Sequence, residues 1–224
     1  MSLKERYERV LADVAKAPSA FGPATLIVVT KNHPAELVAE LVDLGCMNVG
    51  ENRDQEASAK YLATQELRPH NSLNWHFIGQ LQTNKVKSVL RYASAIHSID
   101  RSSLVQELAK QLPKLGRTVQ GFIELNLTGD PGRGGVMPAN LEALTEEVLK
   151  VPEIQLQGLM AVAGLGEEPR SEFERVLELQ HRFLTIAPEA RSLSMGMSED
   201  YQVALELGAT HIRVGSKITG PRSY

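Results

Sequence analysis

The sequence predicts an α/β chain that closes as a single-domain (β/α)8 TIM barrel. Three observations predict it. Short apolar runs rich in β-branched residues occur eight times in 224 residues, as buried parallel strands do. Stripes of apolar residues at helical spacing lie between them. No low-complexity linker divides the chain, so one domain over residues 1–224 is expected. The rival is an open doubly wound sheet, which also alternates strand and helix. That fold commonly carries a Gly-rich turn after its first strand. Here the first strand runs into Thr30-Lys31-Asn32-His33-Pro34, which holds no glycine.

The elements follow in order. Residues 26–30 are the clearest strand, and Pro34 marks the first turn of a helix. That helix carries Leu37, Leu41 and Leu44 on one face and stops at Gly45. Residues 47–50, 75–78 and 95–99 are the next three strands. Asp100 is placed to cap the helix striped by Leu104, Leu108 and Leu112, and Gly116 ends it. After a fifth strand at 121–127 comes the loosest stretch, 129–135, which reads as a flexible loop. Leu141, Leu144 and Val148 stripe the next helix, and residues 156–162 form the sixth strand. Phe173, Val176, Leu177 and Leu184 stripe another helix before the seventh strand at 192–195. Tyr201, Ala204, Leu205 and Leu207 form a last, less regular stripe that stops at Gly208. The eighth strand is 211–215.

Composition excludes several classes. The chain is 42% hydrophobic and 23% charged, with 24 basic and 27 acidic residues and a net charge of −3. That argues against a broad basic face for nucleic acid. A chain this long can bury roughly 70% of its unfolded surface without disulfides or metals. Cys46 stands alone, so no intrachain disulfide forms. No run of 18 apolar residues suggests a membrane span. The start, Met1-Ser2-Leu3-Lys4-Glu5-Arg6, lacks a signal-peptide core, and its first three residues carry no weight in this reading. A cytoplasmic protein is expected, a monomer by default with a dimer as the alternative.

Function in either fold belongs at the C-terminal ends of the strands. Lys31 ends a strongly apolar strand, and desolvation favours the neutral amine that attacks a carbonyl; the ordinary alternative is a solvated loop lysine. Ser194-Met195-Gly196-Met197-Ser198 is a small-residue turn opening a helix, where Ser198 serves as hydroxyl and N-cap and the helix start suits a phosphate. Arg213-Val214-Gly215-Ser216 ends strand eight. Loops after strands seven and eight commonly make a barrel's phosphate site, and strand eight adjoins strand one. Lys31, both turns and Arg213 would then share one mouth. Such a set describes a pyridoxal phosphate site or a Schiff-base aldolase acting on a sugar phosphate. Asn52 follows the second strand as a ligand contact or a helix cap. His76 and His97 read as satisfied core histidines, Trp75 as packing, Lys85 and Lys87 as solvent-facing, and Lys217 as a second amine near the mouth. The six histidines show no zinc spacing.

At these residues the sequence resembles the pyridoxal phosphate homeostasis proteins, relatives of the alanine racemase N-terminal barrel. The likeness runs through Val29-Thr30-Lys31 with Pro34, Gly50-Glu51-Asn52, Trp75-His76-Phe77-Ile78-Gly79 and Gln82-Thr83-Asn84-Lys85. It continues through His97-Ser98-Ile99-Asp100, Gly158-Leu159-Met160, residues 193–198 and Arg213-Val214-Gly215. The resemblance implies a fold-type III barrel with pyridoxal 5′-phosphate held as an aldimine on Lys31. It puts Arg213 at the pyridine nitrogen, and Ser198, Gly215 and Ser216 at the phosphate. Asn52, Ser194 and Met195 complete the expected cofactor-binding set. Thr30 stands where the family often has serine, Arg133 where it often has lysine, and 216–220 is an unusual C-terminal spelling.

An arginine at the ring nitrogen donates but does not accept a proton, which leaves the ring a weak electron sink. Racemisation also needs two acid/base groups, and the resemblance places the second, a tyrosine, in a further β domain that a chain ending at Tyr224 is expected to lack. Tyr92 and Tyr201 are the tyrosines left to consider. The expectation is therefore binding and delivery of the cofactor, with little or no turnover and apo forms of cofactor-dependent enzymes as acceptors. The alternatives are a low-activity amino-acid racemase and the aldolase.

Overall fold

The computed structural model describes residues 1–17, 23–130, 132–164 and 166–220. Eight parallel strands close into a barrel in sequence order, which excludes the open sheet. They are β1 (Thr25–Val29), β2 (Asn48–Glu51), β3 (Asn74–Phe77), β4 (Ala93–Ile99), β5 (Val119–Glu124), β6 (Ile154–Met160), β7 (Ser192–Ser194) and β8 (His211–Val214). Each coincides with an apolar run of the sequence. β5 and β6 end sooner than those runs, and just beyond β5 Leu125 forms an isolated bridge with Val136. Closure comes from β1 against β8, with Val28 opposite Val214.

The helices are α1 (Leu3–Lys16), α2 (Ala35–Asp43), α3 (Asp54–Leu67), α4 (Val86–Val89), α5 (Ser102–Leu115), α6 (Leu141–Leu149), α7 (Pro169–Leu184), α8 (Tyr201–Glu206) and α9 (Ser216–Thr219). The five striped segments are α2, α5, α6, α7 and α8. Their closing glycines, Gly45, Gly116 and Gly208, take the left-handed backbone that ends a helix. α1 departs from the sequence reading. Ser2 caps it in a capping box with Glu5, and Leu3, Tyr7, Val10 and Val14 are its buried face. The first residues are thus structural. Pro34 precedes α2 as its N-cap. Asp100 does not cap α5: its carboxylate pairs with Arg101 at 2.6 Å, and Arg101 occupies the cap position without a side-chain bond to the helix start.

The loop after β5 is tied down. Asn126 donates to the carbonyls of Asp130 and Arg133 at 2.8 and 2.9 Å and accepts from the N–H groups of Thr128 and Gly129. Pro131 lies outside the described residues. Inside the barrel His97 stacks on Phe122 with centroids 4.3 Å apart. Trp75 packs outside it against Tyr61 and Tyr92. Among the described residues no helix is long and apolar enough to cross a membrane.

Candidate functional site

Pairing of β1 with β8 decides what meets at the C-terminal mouth. A cavity of about 280 Å³ opens there, walled by Val29 and Ile78 and carrying Lys31, His33, Ser198, Asp200, Arg213, Gly215 and Ser216 on its lining. Five of the eight residues singled out from the sequence therefore face one space: Lys31, Ser198, Arg213, Gly215 and Ser216. Asn52, Ser194 and Met195 do not line it.

The alternation of a strand explains the last two. Ser194 points into the barrel beneath Arg213, and Met195 points the other way into the core around it; both are fully buried. Asn52 is half-buried beside β3. Its carbonyl oxygen lies 2.2 Å from where a Cβ on Gly79 would stand, so only glycine lets the two segments pass.

Arg213 is 3% exposed. Its guanidinium donates to Ser194 Oγ at 2.7 Å and to the Ala161 carbonyl at 2.9 Å. Burial pulls its pKa down to about 10, against the pull of Glu124 and Asp200. It is still a cation at neutral pH, and two bonds fix its plane. Behind it runs a buried chain. Ser194 Oγ meets His97 Nδ1 at 2.8 Å, His97 Nε2 meets His76 Nδ1 at 2.9 Å, and His76 Nε2 meets Asn48 Oδ1 at 3.1 Å. With a cation at one end and an amide oxygen at the other, every bond donates in one direction, from Arg213 towards Asn48. Both histidines are neutral: burial holds His76 near 3 and His97 well below its ordinary value. They are the satisfied core histidines expected from sequence, and here they brace the arginine.

Two small-residue turns are stitched together across the mouth. Ser198 Oγ accepts from the Gly215 N–H at 3.2 Å. Ser198 does not cap α8; Asp200 holds that position, and its Oδ1 instead accepts from the Met197 N–H at 2.5 Å. Gly196 makes the first turn feasible. Its φ is +90°, and a Cβ there would stand 2.6 Å from the Ala204 methyl.

Lys217, the expected second amine, is exposed and lies 5.1 Å over the Tyr201 ring, off the cavity lining. Tyr201 donates its hydroxyl to Asp13 at 2.6 Å, and Tyr92 is buried with its hydroxyl 3.3 Å from Asp54. Neither lines the cavity.

Sequence reasoning missed two groups. Glu124, at the end of β5, accepts from Gln80 Nε2 at 2.6 Å. Burial and the neighbouring Asp100 push its pKa up to about 7. The other group is Lys60 with Glu51 and Glu56, which surrounds the Lys31 turn. Glu56 and Lys60 stand four apart on α3, a pairing visible in sequence had the helix been recognised.

The family model described as alanine racemase, N-terminal domain, matches residues 7–223. A pyridoxal phosphate homeostasis protein of Aquifex aeolicus is 39% identical over 100% of both chains. This chain belongs to that family. Its fold is also that of PipY from Synechococcus elongatus, at 33% identity and 97% coverage of this chain against 99% of the other. The TM-score is 0.87 for the PipY structure without PLP and 0.86 for the one with PLP bound. The site residues described above thus lie on a barrel whose family members share it almost end to end.

Proposed function

We propose that this protein binds pyridoxal 5′-phosphate at the C-terminal mouth, attached through Lys31, and serves to hold and deliver it rather than to turn substrate over. The observation that carries the reading is one cavity bearing both the Lys31 amine and the Arg213 guanidinium. The donor set fits the group. A primary amine suits its aldehyde, a fixed cationic donor suits its ring nitrogen, and Val29 and Ile78 offer apolar walls to a ring. Ser198, Gly215 and Ser216 offer hydroxyls and backbone where a phosphate would lie. The PLP-bound PipY structure and the names of the relatives support the same group.

When bound, the cofactor would offer an aldehyde to amines and a pyridine ring as electron sink. Lys31 would hold it through the Nζ amine of a residue on the cavity lining. Arg213 would donate to the ring nitrogen and has no proton-accepting site, so the ring would remain a weak sink and carbanion chemistry would be disfavoured. The two tyrosines left to consider from sequence as a second acid/base group are bonded elsewhere, Tyr201 to Asp13 and Tyr92 to Asp54. Apo forms of cofactor-dependent enzymes are the proposed acceptors, and the cytoplasm is the proposed compartment.

The test is borohydride reduction of the protein mixed with the cofactor, followed by peptide mass analysis. The adduct should sit on the Lys31 peptide and vanish in Lys31→Ala. A protein that takes up no label sinks the binding reading. Robust amino-acid racemisation by the purified protein sinks the carrier reading while leaving the binding reading standing.

A further inference from the structure

Lys31 lies at the second position of a tight turn. The His33 N–H donates to the Thr30 carbonyl at 3.1 Å, and Asn32 at the third position has φ +63°. A left-handed third residue is the mark of a type II turn. The carbonyl that closes this turn, Thr30, accepts a second hydrogen bond, and that bond and the one from the Asn32 N–H both go to side chains of a single helix. Lys60 Nζ on α3 donates to the Thr30 carbonyl at 2.8 Å. Glu56 Oε1, one helical turn earlier on α3, accepts from the Asn32 N–H at 2.5 Å. Lys60 also bonds Glu56 at 2.8 Å and Glu51 at 2.6 Å. Glu51 in turn accepts from the Thr30 hydroxyl at 2.6 Å. The backbone is therefore gripped immediately before and immediately after Lys31.

Stability does not account for this arrangement. The cluster sets two carboxylates against one ammonium, and Lys60 and Glu51 are almost wholly buried. Glu51 Oε2 is buried without a hydrogen-bond partner among the described residues. A buried ion pair is a weak source of stability, and an unpartnered carboxylate oxygen is a cost. What the cluster does provide is a fixed turn.

We infer that Glu56, Lys60 and Glu51 are positioning residues for Lys31: they hold its turn so that the amine meets the aldehyde of a docked cofactor in the geometry for bond formation. The inference rests on the cofactor reading above. None of the three lines the cavity, so they act on the bond-forming step and not on docking.

Glu56→Ala and Glu56→Gln separate the two steps, because Glu56 is the partly exposed member of the cluster. Pyridoxine 5′-phosphate, which has an alcohol in place of the aldehyde, measures docking alone. Formation of the visible-absorbing adduct with pyridoxal 5′-phosphate measures bonding. Glu56→Ala is expected to dock the alcohol as wild type does and to bond the aldehyde about tenfold to a hundredfold more slowly. Glu56→Gln keeps an acceptor for the Asn32 N–H and is expected to recover most of the rate. An unchanged bonding rate in Glu56→Ala, or equal losses of docking and bonding, overturns the inference. Hydrogen exchange at the Asn32 amide tests the grip without any ligand. It should be protected in the wild type, although Asn32 is exposed, and faster by roughly tenfold or more in Glu56→Ala. An unprotected wild-type amide removes the clamp. If the wild type binds neither phosphate, the cofactor reading fails, and the amide alone decides the clamp.

Discussion

Individual side chains at the mouth are set by what they face. Lys31 was legible because an apolar strand ran directly into it, and Arg213, Gly215 and Ser216 because a second strand ended the same way. Asn52, Ser194 and Met195 stand out in sequence only through their place in motifs, and none of them lines the cavity. Ser194 serves the site at one remove, as the acceptor that orients Arg213. Glu124 was illegible because its character comes from its surroundings. Its pKa of about 7 stands above the ordinary 4.5, so the folded protein holds a proton there that the unfolded chain releases. Stability should accordingly be fully present below pH 4.5 as far as this group is concerned, and fall as pH rises to about 7. The change amounts to at most about 3 kcal/mol. Glu124→Gln should abolish that part of the slope in urea unfolding measured across the range. A wild-type profile that rises through the same window would contradict the assignment.

Elements differ in how plainly the sequence marks them. α2, α5, α6 and α7 bury apolar stripes, and the stripes announce them. α3 buries Asp54, Ala57, Lys60 and Thr64. Its inward face is polar because it serves the ion cluster behind the Lys31 turn, so apolar periodicity is absent although the helix is 14 residues long. The physics of that cluster predicts an asymmetry. Lys60→Met should destabilise the protein by about 3–5 kcal/mol, because Glu51 is left buried without its cation. Adding Glu51→Met in the same chain should recover much of the loss, since an apolar pair of similar volume needs no solvation. Denaturant melts of the single and double variants compare the two directly. A double variant weaker than Lys60→Met alone would refute the argument. α1 is hidden for a different reason: Ser2, which opens its capping box with Glu5, is among the first three residues, which carry no weight in the sequence reading.

At the scale of the whole molecule, barrel closure is what makes a site. Lys31 and Arg213 are 182 positions apart, and the ladder between β1 and β8 brings them to one cavity. Ligand held between the two ends of the barrel should therefore stabilise the entire fold. At pyridoxal 5′-phosphate a hundredfold above its dissociation constant, the expected gain is about 2.7 kcal/mol. Thermal melts should show the shift in wild type and a smaller one in Lys31→Ala at equal ligand. Equal shifts in both would place the ligand elsewhere. By itself the sequence determined the number and order of strands, the barrel and the strand ends that matter, because these depend on local hydrophobic periodicity and on short motifs. Only the tertiary structure decided which motif residues face the cavity, that Ser198 joins two turns instead of capping a helix, and that an ion cluster grips the turn of Lys31. Those features arise from contacts between segments far apart in the chain, and such contacts leave no period in the sequence.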